Sequence, residues 1–204
     1  SPFILFLNPD AFLMPGSLKA PLTFLSDPKN KKFGVAGIAL IDNEGIVQST
    51  SARFPTPSGL IATSFGLTRL FPTLGTHMHD WDHSESRTVP HVIGAFYLIR
   101  RPVFEVLGGF DEQFFVYLED LDLSLRVQQA GHSSYFLREV SAFHEGGGVS
   151  SQVKAHRLFY SLRSRIQYAY KHFSRRASLV VALVTLLVEP FTRLGQLLLM
   201  QRWD

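Results

Sequence analysis

The sequence predicts an α/β fold, and three observations carry that prediction. Phe3-Ile4-Leu5-Phe6-Leu7 is an apolar run of strand length. Phe33 to Ile41 is a second one, with Gly34 and Gly37 where another backbone can approach closely. Glu119 to Ala130 has helical periodicity, stops at Gly131 in a C′ position, and leads into an extended stretch from Ser134 to His144.

The chain has 204 residues, enough for one domain or one domain with an appendage. Its 46% hydrophobic and 18% charged residues exclude a disordered polymer. The net charge of +3 does not by itself predict nucleic-acid binding. There is no Cys, which excludes disulfide scaffolds, zinc-thiolate sites, thiol nucleophiles and iron–sulfur clusters, and fits a reducing compartment. The first strand is already under way at Ser1, so an upstream portion is expected to be missing.

Taken in order, strand 3–7 ends in Asn8-Pro9-Asp10, and Met14-Pro15-Gly16-Ser17 turns into a helix. Strand 33–41 meets the turn Asp42-Asn43-Glu44-Gly45, with Ile46 to Thr50 as its return strand. Residues 53–90, punctuated by proline and glycine, read as one long, partly ordered loop of the functional kind, and its His77, His79 and His83 read as solvated rather than metal-binding. Val92 to Ile99 is strand-like. A helix from Pro102 to Leu107 ends at Gly108-Gly109. Glu145-Gly146-Gly147-Gly148 reads as a flexible loop, and a boundary near residue 150 separates 1–150 from 151–204.

Three constellations can carry chemistry. Asp10 stands beyond the end of a strand, where open α/β sheets bind ligands and where one carboxylate can hold a cation with help from substrate phosphates. It also reads as a helix-capping residue in an Asx-Pro turn. Glu119 and Asp120 open a helix, where free N–H groups and the dipole favour ionised carboxylates; ordinary first-turn acidity is the plainer explanation. Asp122 and Arg126 are spaced i, i+4 for a structural ion pair, which leaves Asp120 as the acid held for chemistry. His144, before a glycine run, can approach a phosphate or a metal, or can be a loop histidine without a role.

The combination of Asn-Pro-Asp, Gly94-Ala95-Phe96-Tyr97, Leu107-Gly108-Gly109-Phe110-Asp111, Tyr117-Leu118-Glu119-Asp120-Leu121-Asp122, Arg126, Gly131 and His144 resembles the family 2 inverting glycosyltransferases, especially the rhamnosyltransferase-like branch. The resemblance runs from about residue 3 to 175 and is most specific from Gly94 to Gly131. It implies a partial GT-A fold, a Rossmann-like mixed sheet, with residues 1–150 as its metal and acceptor part. It also implies metal ligation by Asp10 and His144, with Asn8 replacing the first acid of the family's Asp-x-Asp motif. Asp120 then matches the catalytic base, Glu119 its supporting acid, and Gly94 and Ala95 the acceptor side. The implied cofactor is Mg2+ or Mn2+, the donor a nucleotide-sugar, and the acceptor a glycan or a lipid-linked saccharide. Gln201-Arg202-Trp203 lacks the spacing of the processive motif, so single addition is implied. The nucleotide-binding half, roughly 80–100 residues in such enzymes, is not in this sequence.

The tail differs in chemistry. Between Gly146 and Val188 there is no acid but seven basic residues. On a helix, Phe159, Leu162, Ile166, Ala169, Tyr170 and Phe173 form one stripe, and Lys154, Arg157, Arg165 and His172 lie opposite, as on a helix at an anionic membrane surface. A helix packed on its own domain with a solvated basic face has the same pattern. Ala177 to Val188 is apolar but short of the about 20 residues a bilayer span needs. An in-plane or hairpin membrane contact is therefore expected, with a buried helix or a dimer contact as the alternative. The expected function is metal-assisted sugar transfer with inversion in surface polysaccharide or cell-wall glycan synthesis. It would take place in the cytoplasm, peripheral to the inner face of the membrane, with no nucleic-acid partner. The competing expectations are a catalytically incomplete fragment that acts as a membrane-associated binding or assembly module, and a metal-dependent phosphodiester hydrolase.

Overall fold

The structure, a computed structural model, describes residues 1–78, 80–146 and 154–200. His79, the glycines at 147–148, the expected boundary near residue 150 and Gln201-Arg202-Trp203 lie outside the described residues.

Strands β1 (Phe3–Leu7), β2 (Ala11–Leu13), β3 (Phe33–Ile41), β7 (Phe96–Arg100) and β8 (Ser133–His144) form a sheet in the order β1-β7-β3-β8-β2. Strands β3 and β8 are parallel, and β7, β1 and β2 each pair antiparallel with their neighbours, so the α/β class is realised with a mixed sheet. Strand β5 (Arg87–Val89) pairs with the start of β8, while β4 (Ser51–Ala52) and β6 (His91–Val92) form a small separate ladder. Every residue of β3 except Ile41 is buried, which explains its unbroken apolar run: both faces are covered. Leu25, Leu98 and Ile38 pack on one side of the sheet, and Tyr97, Leu123, Val127 and Phe136 on the other.

One consequence of the strand order fixes the site. Strands β1 and β2 lie at opposite edges, yet only Asn8, Pro9 and Asp10 join them, so this segment crosses the end of the sheet. Asn8 N–H donates to the carbonyl of Ala95 (3.2 Å), and Glu145 N–H to the carbonyl of Asp10 (3.1 Å).

The helices are α1 (Lys19–Ser26), α2 (Pro57–Ser64), α3 (Arg101–Val106), α4 (Glu119–Gln129), α5 (Lys154–His172), α6 (Arg175–Leu187) and α7 (Glu189–Met200). The expected long loop at 53–90 is therefore wrong in part. It contains α2, capped by the Thr56 side chain on the N–H of Gly59, two 3-10 turns (Leu67–Arg69 and Pro72–Leu74) and β5. Nor is the stretch solvated: His83 is buried and stacks on Trp81 with ring centroids 4.1 Å apart. The expected return strand at 46–50 shrinks to a bridge between Ile41 and Val47 plus a bond from Gln48 N–H to the Leu40 carbonyl.

The face expected for α5 also needs correction. Phe159 and Tyr170 are exposed, whereas Arg165, expected on the basic side, is buried. Its guanidinium pairs with the buried Glu189 carboxylate, which Arg193 holds from the next turn of α7. A counter-ion from a later helix makes that burial tolerable, and helical periodicity cannot register it.

Helix α5 is fastened to α4 by Asp122. This fully buried carboxylate accepts from Arg126 Nε (2.8 Å), Lys171 Nζ (2.7 Å) and His172 Nε2 (2.7 Å). Burial opposes its ionisation, but the bonds from His172 and Lys171 and the charge of Arg126 hold the carboxyl down at about 2. Stability from this group is present above its ordinary value of 3.8 and is lost as pH falls through about 2. Asp122→Ala removes a fully buried carboxylate and leaves Arg126 and His172 without their anion, while Lys171 keeps Asp111, and is expected to cost about 3–5 kcal/mol in urea denaturation at neutral pH. A loss below about 1 kcal/mol would mean that Asp122 is no more than a surface-type pair.

Candidate active site

At the end of the sheet crossed by Asn8-Pro9-Asp10, the structure brings Asp10 and His144 together, with Asp10 Oδ1 3.5 Å from His144 Nε2. The strands dictate this, because Ala11 pairs with His144 in the β2–β8 ladder. Gln48 orients the imidazole. Its Oε1 is 2.8 Å from His144 Nδ1, and its Nε2 donates to the His144 carbonyl at 2.9 Å. With Nδ1–H directed at an amide oxygen, Nε2 presents a lone pair on the side of Asp10.

This donor set fits a cation. A carboxylate oxygen and an imidazole nitrogen face one another at a spacing a divalent ion can bridge, and the imidazole is fixed by an outer partner. Among the described residues no group of three or more His, Cys, Asp or Glu converges, so the protein offers at most half a coordination sphere. Phosphate oxygens and water complete such sites for Mg2+.

Asp120 stands at the N-terminus of α4. Its Oδ2 accepts the backbone N–H of Gly94 (2.6 Å), and its Oδ1 the N–H of Leu121 (2.7 Å). A Cβ at position 94 would sit 3.2 Å from Asp120 Oδ2, so glycine there gives the carboxylate room. Ala95 is buried and its carbonyl takes the N–H of Asn8. Two hydrogen bonds thus link the two candidate groups: Asp120 to Gly94, and the adjoining Ala95 to the Asn-Pro-Asp turn. Tyr117 (φ 68°) and Leu118 (φ 67°) both lie in the left-handed region, which is costly for bulky residues. That double kink turns the chain sharply so that α4 begins at the sheet end.

A buried relay supports Asp120, and sequence reasoning missed it. His91 Nε2 lies 3.6 Å from Asp120 Oδ2, His91 Nδ1 is 2.8 Å from Ser124 Oγ, and Ser124 Oγ is 3.0 Å from Tyr97 OH. Burial pushes the His91 imidazole below its ordinary range, against the pull of Asp120. A ring whose charged form is disfavoured by burial therefore faces the carboxylate. Ser124, one turn after Asp120, was the only available signal; the spacing could not show that a histidine from β6 completes it.

Glu119 behaves differently. Burial, then the charge of Asp120, raises its carboxyl to about 7, and its Oε2 is buried without a hydrogen-bond partner. The folded chain keeps a proton that the unfolded chain releases from its ordinary 4.5 upward. The associated stability is full below that value and is lost as pH rises through about 7. Denaturation at about pH 5 and about pH 8 is expected to show a smaller drop for Glu119→Gln than for the parent chain. Equal drops in both would contradict this protonation.

No protein-family model matches the chain. Among curated proteins it is 28% identical over 161 residues to the N-acetylglucosaminyl-diphospho-decaprenol L-rhamnosyltransferase of Mycobacterium tuberculosis, covering 76% of this chain and 52% of that protein. It is 25% identical over 169 residues to rhamnosyltransferase WbbL of Escherichia coli, covering 81% and 61%. Among solved structures, the mannosyltransferase PcManGT of Pyrobaculum calidifontis, in complex with GDP-Man and Mn2+, aligns with a TM-score of 0.46 at 13% identity, covering 94% of this chain and 48% of that one. The chain spans about half the length of the curated relatives it matches. By sequence it is related to rhamnosyltransferases and other glycosyltransferases, as its motifs lead one to expect.

Proposed function

We propose that this relative of the rhamnosyltransferases supplies the metal and acceptor part of an inverting glycosyltransferase, which moves a sugar from a nucleotide-diphosphate donor to an acceptor hydroxyl in surface polysaccharide or cell-wall glycan synthesis. The observation that carries the proposal is the Asp120 carboxylate, held by Gly94 N–H at the same end of the sheet as the Asp10–His144 pair.

In this reading Asp120 is the general base. Fixed by two N–H donors at the N-terminus of α4, the carboxylate has further lone pairs for an acceptor O–H. It accepts that proton as the hydroxyl oxygen attacks the anomeric carbon from the side opposite the leaving diphosphate, and a single displacement inverts the centre. Gly94 and Ala95 bound the acceptor side, and Glu119 positions the base. Asp10 and His144 would hold Mg2+ or Mn2+, the nitrogen ligand favouring Mn2+, and the ion supplies neutralisation of charge on the diphosphate. Asp120→Asn keeps shape but cannot take a proton. In a protein that also carries the donor-binding half, it is expected to lower nucleoside-diphosphate release from a donor panel about 10²–10⁴-fold, with donor affinity unchanged. An equal loss of donor affinity would remove Asp120 from the role of base.

The C-terminal helices support a place at the membrane. Helix α6 turns Ser178, Val181, Ala182 and Thr185 to the protein, while Leu179, Leu183, Leu186 and Leu187 face outward, followed by Phe191, Leu194 and Leu198 on α7. The 22-residue stretch Arg175–Gln196 is long and apolar enough to cross a membrane by length and composition. A buried Glu189 held by Arg165 and Arg193 ties it to the protein, so we read it as lying in the interface. Exposed Arg157, Arg163, Arg175 and Arg176 then suit anionic headgroups. Vesicles rich in phosphatidylglycerol should retain the protein at low salt, and Leu183→Glu with Leu187→Glu should release it. Retention unaffected by the two glutamates would rule out this face.

A further inference from the structure

A cavity of about 580 Å³ opens between α2, the two 3-10 turns after it and α5, and the catalytic reading makes no use of it. Leu118, the residue before Glu119 and Asp120, forms part of its wall, so the cavity reaches the neighbourhood of the candidate base. Among the described residues no acidic one lines it. Two guanidiniums do: Arg165 in the depth and Arg69 at the mouth. Arg165 is paired with Glu189, but Arg193 shares that carboxylate, so the cluster keeps a positive charge. Arg69 is exposed and has no acidic partner among the described residues. Thr63, Thr68, Thr76 and Ser161 add hydroxyls and His77 an imidazole, and Leu60, Leu118, Pro55 and Pro72 supply the apolar wall. Such a lining suits a ligand with a phosphate attached to something apolar.

The mouth is also unusual. From Phe65 to Leu74 the two turns expose Phe65, Leu67, Leu70, Phe71 and Leu74, and Leu70 is 75% exposed. This segment abuts α7: Thr192 Oγ1 donates to the Ser64 carbonyl at 2.8 Å, and a Cβ on Gly66 would lie 2.8 Å from Gln196 Nε2. The apolar lip therefore adjoins the helices whose outward faces are apolar. So much contiguous exposed apolar surface marks a contact with lipid or another partner, and the unpaired Arg69 within it favours lipid that carries an anionic group.

We infer that this cavity seats the phosphate end of a lipid-linked acceptor, with Arg69 as its anion contact and residues 65–74 as a lip resting in the bilayer. The word acceptor rests on the glycosyltransferase reading; the binding does not. A nucleoside diphosphate shares the anionic chemistry, so the test separates the two sources. Binding to the full chain is measured by calorimetry with farnesyl diphosphate, farnesol and uridine diphosphate as probes. Farnesyl diphosphate is expected to bind at least about tenfold tighter than either of the others, and Arg69→Gln to lose about tenfold of that affinity. Arg69→Lys should lose less, and the thermal midpoint of both variants should stay unchanged because Arg69 lies on an exposed turn. Equal binding of farnesol, tighter binding of uridine diphosphate, or indifference to Arg69→Gln would each overturn the inference. None of these outcomes depends on sugar transfer, so the site can fail while the catalytic reading stands, and the reverse.

Discussion

The hydrogen bond from Gly94 N–H to Asp120 Oδ2 is the constraint on which the site depends. It exists because the strand expected from Val92 to Ile99 is broken. Strand β6 pairs with β4, β7 pairs with β1 and β3, and the residues between them turn a free N–H toward α4. Glycine at the break lets the carboxylate come within 2.6 Å of the backbone. The next residue, Ala95, takes the N–H of Asn8 and so fixes the segment carrying Asp10. The candidate base Asp120 and the candidate cation ligand Asp10, more than a hundred residues apart in sequence, are thus positioned from one short stretch of backbone. A change there would disturb both.

The parts of the fold written in local pattern were legible. The continuous apolar runs of β1 and β3, the glycine stop of α4 and the extended segment before His144 all appear where periodicity and turn chemistry put them. Asp122 and Arg126 form their expected i, i+4 pair. What pattern could not give was partnership across the fold. Spacing does not reveal that Asp122 also takes Lys171 and His172, or that Glu189 makes a buried residue of Arg165. Residues 53–90 misled because proline and glycine there punctuate short helices and turns as well as loops; Pro57 and Pro72 both sit in first helical turns. In the site, Asp10, Glu119, Asp120 and His144 were singled out by residue type and motif. Gln48, His91 and Tyr97 were not, since their role lies in whom they touch.

The C-terminal helices carry two kinds of burial that pull in opposite directions. Inside, α5 brings cations to Asp122 and to Glu189, locking it to α4 and to α7. Outside, α6 and α7 present leucines and a phenylalanine to the surroundings. A helix pair anchored by ion pairs and apolar on its free side suits the lipid contact proposed for this chain.

The central claim is that one end of the sheet holds both a divalent-ion site at Asp10 and His144 and, beside it, the Asp120 carboxylate. Paramagnetic broadening of backbone amide resonances by substoichiometric Mn2+ measures this directly. The expected result is strongest broadening at residues 10, 48 and 144, weaker broadening at 94, 95 and 120, and none at Phe33 and Ser133 at the opposite end of the sheet. Broadening centred on the 77–83 stretch, or on Asp122 and α5, would contradict it.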